Sequence, residues 1–365
     1  MKYLIAFSAT FILSVIFTKI IIKLAVRLCI VDRPDSVRKI HQKPIPLLGG
    51  LAIFLSFGLV LVYYSFFTKE IFNKIYYPKY IIGFLAGGLV LMIGGWLDDK
   101  YNLRPSRQLV WPILAALVII ISGVGINFIT NPFGGIFRLD QPKFEILRID
   151  GVPYRLALWA DLFAFIWLMG MAYTTKFLDG LDGLTAGITA IGSLVIFFLS
   201  FNQLVNQPQT ALISSILFGS LLGFLIFNFH PAKIFLGEGG SLFCGFALGV
   251  LAIVAGGKIA TTLLIMGIPV LDVVWVILRR LFWEKKSPAS ADRKHLHFRL
   301  LDAGLSHRQV VLFLYFLTLL FGASALFMQS LGKFYALLVL LAIMLIIALS
   351  LVYLYKRKNY VQNSN

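Results

Sequence analysis

Apolar stretches of about 17 to 25 residues recur from one end of this chain to the other, the length of helix that crosses a bilayer's hydrocarbon. A chain patterned this way must satisfy its backbone polar groups within each stretch, so it folds as membrane helices. Eleven spans can be read, at residues 3–27, 47–67, 80–97, 108–129, 157–175, 183–201, 211–228, 241–256, 259–281, 309–329 and 334–355. The segments between them are too short for a soluble domain. The expectation is an all-α polytopic membrane protein, with residues 1–365 as a single domain. The first span is longer than a signal-peptide core and lacks a small-residue cleavage site, so it reads as a retained helix. The eighth is short and glycine-rich, and the ninth holds Pro269 and Asp272; either is a candidate for a helix that is broken, tilted or partly lining a cavity.

The net charge of +17 would suggest nucleic acid in a soluble protein. In a membrane chain, loop Lys and Arg instead set topology and meet anionic head groups, so no nucleic-acid partner is expected. One set of loops carries 21 basic residues and the opposite set 9. The richer side is expected to be cytoplasmic, which with eleven spans puts the N-terminus outside and the C-terminus in the cytoplasm. The outer loop at about 130–156 alternates short apolar runs with Gly, Pro and Asp and reads as a small β-hairpin. Cys29 and Cys244 offer neither a disulfide framework nor metal-ligand spacing.

Only 16 residues are acidic, and four groups of them fall at span ends on one side. Asp98 and Asp99 close span 3 in GGWLDDKYNL. Asp179 and Asp182 join spans 5 and 6 in FLDGLDGL. Glu238 opens span 8 in FLGEGGS, and Asp292 lies in the inner loop ADRKHLHFRL. Carboxylates beside hydrocarbon are costly and mark function. Several of them on one aqueous cleft suit a divalent cation, and the cation suits a phosphate substrate.

Each motif also has a plainer reading. Asp98 and Asp99 sit at a helix C-terminus, where the dipole disfavours anions, so a mere helix stop would use Lys or Gly there. A repeated Asp-Gly is a turn signal, although the i, i+3 spacing of Asp179 and Asp182 puts both on one face if helical. Glu238 could simply favour a helix N-terminus. His295 and His297, two apart with no cysteine near, are weak for zinc; their basic loop binds anions or lies in water. Asp272, inside a span, either pairs with a Lys or Arg of a neighbouring helix or supports the site from behind.

Taken in order, VDRPDSVRKIHQKPIPLLGG, LDDKYNL, FLDGLDGLTAG, NFHPAKIFLGEGGS and ADRKHLHFRLLDAGLS cover nearly the whole chain. Together they resemble the polyprenyl-phosphate N-acetylhexosamine-1-phosphate transferases, whose superfamily includes the phospho-N-acetylmuramoyl-pentapeptide transferase of peptidoglycan synthesis. The resemblance implies ten or eleven spans and a cytoplasmic active site. It implies attack of a polyprenyl phosphate on the β-phosphate of a UDP-sugar, with UMP leaving. It also implies Mg²⁺, or Mn²⁺ in its place, and a homodimer in the bilayer.

Residue by residue, the resemblance makes Asp98 the group that orients the lipid phosphate or accepts its proton, and Glu238 the metal ligand. Asp99 becomes a second ligand or helper, with Asp179 and Asp182 in the same catalytic set. Asn228, Phe235 and Asp179 match positions lining a nucleotide pocket. His295, His297 and Arg299 match a histidine-rich loop for the sugar-pyrophosphate, and Lys43 and Lys176 are further substrate-binding candidates. The chain departs from the family pattern at four places. Glu238 stands where Asp is usual, Tyr173 and Lys176 stand where many members carry asparagines, and Phe298 replaces a histidine. The form ADRKHLHFRLL is closer to the GlcNAc-1-phosphate branch, which implies UDP-GlcNAc or a related UDP-N-acetylhexosamine as donor and undecaprenyl phosphate as acceptor. The alternatives are the muramoyl-pentapeptide enzyme and, in another class, a transporter of an anionic solute.

Overall fold

The structure is a computed structural model that describes residues 1–34, 43–72, 77–149, 152–202, 205–256, 258–285, 287 and 294–363, with the backbone alone for 146–149, 152–155 and 352–363. Asp292 and the middle of the opening motif, 35–42, lie outside the described residues.

The helices in chain order are α1 (Lys2–Arg27), α2 (Gly49–Val62), α3 (Pro78–Tyr101), α4 (Pro105–Gln108), α5 (Val110–Ile121), α6 (Leu158–Leu178), α7 (Leu184–Leu199), α8 (Pro208–Asn228), α9 (Gly237–Val254), α10 (Ile259–Leu278), α11 (Leu296–Asp302), α12 (His307–Phe327) and α13 (Ser330–Asn363). Among the described residues, nine helical stretches are long and apolar enough to cross a membrane. These are α1, α2 with its π-helical extension to Phe67, α3, α6, α8, α9, α10 extended to Trp283, α12, and α13 as far as Leu351. Two more apolar helices, Pro105–Ile121 and Leu184–Leu199, are shorter. Each expected span thus falls on a helix, and two of those helices are below full crossing length. Of the two spans read as broken, tilted or partly lining a cavity, neither is broken: α9 is continuous, and α10 runs through Pro269 without interruption. Both do line cavities, α9 through Gly239 and Gly240 and α10 through Pro269 and Asp272.

Strands are few. Val31–Asp32 (β1) pairs antiparallel with Ile45–Pro46 (β2), closing the opening motif on itself. The loop after α5 holds two hairpins rather than one. Phe128–Thr130 (β3) pairs with Ile136–Arg138 (β4), and Lys143–Ile149 (β5) with Val152–Ala157 (β6).

At the centre stands α9, packed by α2, α3, α6 and α7. Every residue from Gly239 to Ile253 is buried. A helix apolar on all sides can be surrounded in this way, and its glycines let neighbouring backbones come close. A Cβ on Gly95 of α3 would lie 2.1 Å from the Gly239 nitrogen, and one on Gly50 of α2 would lie 2.0 Å from the Gly240 Cα. On α6, the Met171 carbonyl comes within 2.1 Å of where a Gly245 Cβ would sit. These contacts hold α2, α3 and α6 close along the first half of α9, so that α3 and α6 end near its start. The acidic motifs lie at those ends.

Candidate active site

Asp98 and Asp99 occupy the last turn of α3, which ends as Asn102 turns left-handed with φ +50°. The backbone N–H of Leu103 donates to Asp98 Oδ1 at 2.8 Å, and the Gln108 side-chain amide donates to the same oxygen at 3.0 Å. Neither bond engages Oδ2. Charge-assisted bonds such as these fix a carboxylate's position without neutralising it.

Asp99 faces the start of α9. Its Oδ1 accepts the backbone N–H of Glu238 at 3.1 Å, an anion held at a helix N-terminus. Its Oδ2 lies over Gly237, where a Cβ would approach to 2.4 Å. Gly237 also has φ +74°, so glycine is needed there both for the turn and for the carboxylate.

Glu238 forms an ion pair with Lys176, from the last turn of α6. The Lys176 ammonium also donates to Gln108 Oε1 at 3.0 Å and stands 5.5 Å from the centre of the Tyr173 ring. A chain of contacts therefore runs Asp98–Gln108–Lys176–Glu238–Asp99 across α3, α4, α6 and α9. Lys176 and Glu238 are thus partners of each other.

Asp179 ends α6, three residues beyond Lys176. Crowding by protein atoms raises its carboxyl pKa, as do the charges of Glu238 and Asp182, while the nearby Thr185 hydroxyl opposes them. Part of the residue reaches solvent, which moderates the shift. Asp182 is turned away from this chain of contacts. Its Oδ2 meets His230 Nδ1 at 2.8 Å and accepts the Ala232 N–H at 3.1 Å. Arg308 of α12 donates to the His230 carbonyl. Asp182, His230 and His307 are close enough in distance to suggest a metal site. The two imidazoles, however, stack at 4.1 Å and 19°, so their lone pairs run side by side rather than toward one point. The trio instead latches the α6–α7 turn to the segment before α9 and to α12.

Asn228 is buried and committed at both ends. It accepts the Gly183 N–H at 3.1 Å and donates to the Ile234 carbonyl at 2.9 Å, tying the Asp-Gly motif to the glutamate motif. Phe235 is half-buried; its N–H donates to Pro46 and its carbonyl accepts from Gly49, which stitches the opening motif to the site. Lys43 is exposed, two residues before β2.

The histidine segment is not a solvated loop. His295 and His297 are 5% and 1% exposed. Asp272 of α10 accepts His295 Nδ1 at 2.8 Å and the Leu296 N–H at 2.8 Å, so it caps α11. Its partner is thus a histidine, not the Lys or Arg of a neighbouring helix. His295 stacks between Phe177 and His297, and His297 packs on Gly180 of the Asp-Gly motif. His297 Nε2 is buried with no hydrogen-bond partner, and burial pushes the ring pKa down to about 3, keeping it neutral. The Arg299 Nε donates to the Lys294 carbonyl.

Asp99 meets the first turn of α9 through the Glu238 N–H, Asp98 is its neighbour on α3, and the Lys176 ammonium lies against the Glu238 carboxylate. This donor set fits a hard divalent cation such as Mg²⁺ or Mn²⁺. Gln108 and His230 escape a reading of the sequence. His230 at least lies inside a motif rich in chemistry, whereas Gln108 is neutral and carries no spacing signal.

A multi-pass helical membrane protein with its acidic residues gathered at one end of the central helix is the class that fold and site define. The chain belongs to glycosyl transferase family 4, whose family profile matches residues 81–256. It is 31% identical over 336 residues to a probable undecaprenyl-phosphate N-acetylglucosaminyl 1-phosphate transferase of Bacillus subtilis, covering 90% of this chain and 86% of that one. It is 32% identical to a decaprenyl-phosphate N-acetylglucosaminephosphotransferase of Mycolicibacterium smegmatis, covering 80% and 73%. It is 27% identical to an undecaprenyl-phosphate alpha-N-acetylglucosaminyl 1-phosphate transferase of Yersinia pestis, covering 82% and 77%.

Proposed function

We propose that this protein transfers N-acetylhexosamine-1-phosphate, with GlcNAc-1-phosphate as the group moved, from a UDP-sugar to undecaprenyl phosphate. UMP is released, and the lipid-linked sugar pyrophosphate begins a cell-envelope glycan. The observation that carries this reading is the contact chain from Asp98 to Asp99 through Gln108, Lys176 and Glu238. Its three carboxylates and an ammonium, with Asp179 at the end of α6, suit a reaction between two phosphates, one on a lipid. Several relatives carry such a transferase activity in their names. A transporter would place its charges near mid-membrane between repeated halves; this cluster lies at helix ends.

In this reading a lipid phosphate oxygen attacks the β-phosphorus and the bond to the UMP oxygen breaks. Phosphoryl transfer of this kind is mainly a matter of position and charge. Asp98, fixed through Oδ1, orients the lipid phosphate and takes any proton it still carries. Asp99 and Glu238 would hold a divalent cation, which would supply positive charge to the diphosphate and the departing UMP. Lys176 adds a second positive charge. The α11 segment, clamped by Asp272, walls the site beside Asp179 and Gly180. The excess of basic residues in the loops on this side supports a cytoplasmic face for the site.

The test is purified protein in detergent with undecaprenyl phosphate and radiolabelled UDP-sugars offered in competition, followed by lipid extraction. Labelled lipid from UDP-GlcNAc supports the reading. Label only from the UDP-muramoyl-pentapeptide would assign the chain to the peptidoglycan branch, and no lipid product from any donor would end the reading.

A further inference from the structure

Lys176 is the unusual element of this site. Its ammonium is held by the Glu238 carboxylate, the Gln108 carbonyl oxygen and the Tyr173 ring. The Lys176 and Glu238 side chains are only 19% and 15% exposed. A lysine meant chiefly for a substrate would be expected to wait with its charge toward the cleft. This one is spent on the carboxylate that also serves best as metal ligand.

The surroundings explain the arrangement. Asp98, Asp99, Asp179 and Glu238 gather where three helix ends converge, and like charges so placed destabilise one another. An uncompensated charge in such a place is costly, and a partner at contact distance offsets much of the cost. Glutamate rather than aspartate at 238 gives the carboxylate one methylene more, enough reach to meet an ammonium from α6. Lys176 and Glu238 are therefore one unit in physical terms. Each supplies what the other lacks.

We propose that Lys176 is a tethered counter-cation of the acidic cluster, which occupies the cation position at Glu238 in the resting site and leaves it when a divalent ion binds. The released ammonium is then free to meet the anionic diphosphate of the donor. Gln108 couples the exchange to Asp98, since one end of its amide holds Lys176 and the other holds Asp98 Oδ1. Metal binding and donor binding are in this way linked through a single side chain. The inference rests on the divalent-cation reading of the site given above.

A lysine and a free cation competing for one carboxylate make a definite prediction. Mn²⁺ binding by purified protein without donor is followed by loss of the free-ion electron paramagnetic resonance signal, for wild type, Lys176→Gln and Lys176→Arg. Lys176→Gln binds Mn²⁺ roughly ten-fold tighter or more, because the competing positive charge is gone, and Lys176→Arg binds like wild type. A second measurement needs no variant. Acylation of Lys176 by an amine reagent, read by mass spectrometry, is slow in the metal-free protein and accelerates when Mn²⁺ is added. Equal Mn²⁺ affinity in wild type and Lys176→Gln, or acylation of Lys176 unchanged by metal, overturns the proposal while the divalent-cation reading stands. No Mn²⁺ binding by any of the three proteins overturns both.

Discussion

Asp272 of α10 and His295 at the head of α11 meet through a 2.8 Å hydrogen bond, and the other oxygen of the same carboxylate holds the Leu296 N–H at 2.8 Å. One buried acid thus fixes a ring orientation and caps a helix. Asp272→Asn keeps the shape but loses the charge-assisted bonds, each worth about 1.5–3 kcal/mol. Turnover falls about ten-fold or more while the protein still purifies, and Asp272→Glu recovers part of it. Steady-state kinetics on both variants checks this; wild-type kcat and donor KM in Asp272→Asn would remove Asp272 from the positioning of α11.

The Gly95–Gly239 contact sets the distance between the two acidic helix ends. In Gly95→Ala the new methyl meets the Gly239 backbone at 2.1 Å, which no side-chain rotation relieves. The variant loses about 1–3 kcal/mol of stability from overpacking, and activity falls as Glu238 moves from Asp99. Gly170→Ala, which meets nothing within 4 Å, serves as the control and stays at wild-type stability. Thermal unfolding in detergent separates the pair.

Metal removal probes the donor set. Excess chelator abolishes transfer and added Mg²⁺ or Mn²⁺ restores it, while Glu238→Gln stays inactive whatever the metal concentration, at least about a hundred-fold below wild type. Full activity in chelator would contradict the assignment of Glu238 and Asp99.

His297 predicts a pH dependence of stability. Its ring pKa is about 3 in the folded chain, against an ordinary 6.5. Between these values the unfolded chain holds a proton that the folded chain refuses. Stability from this residue is full above about pH 6.5 and falls as pH drops, by up to about 1.4 kcal/mol per unit. Thermal unfolding across about pH 7 to 5 should show the loss in wild type and a shallower slope in His297→Gln. Parallel slopes would mean that another group carries the effect.

Much of this was legible in the sequence. Apolar length fixes where helices run, so every expected span falls on one, and the alternating residues near 143–157 form the β5–β6 hairpin. Conflict with local rules marks Asp98 and Asp99, because acids rarely end helices without a reason. The rest depends on contacts distant in the chain. The Asp182–His230 pair spans 48 residues and the Lys176–Gln108 bond 68, with no periodicity to announce either. The charge pattern of the histidine segment left an anion-binding and a solvated loop both open, because its burial comes from Asp272 and Phe177, which lie outside it. That α9 and α10 line cavities without breaking has a similar reason. Glycine and proline weaken an isolated helix, but here neighbouring helices pack against both.

The most direct test of the central claim follows a donor labelled in its β-phosphate. The purified protein, given UDP-GlcNAc so labelled, undecaprenyl phosphate and Mg²⁺, should move the label into the extractable lipid and release one UMP for each lipid product. Release of UDP with the label left in the aqueous phase would show transfer of the sugar without its phosphate, and would contradict the account.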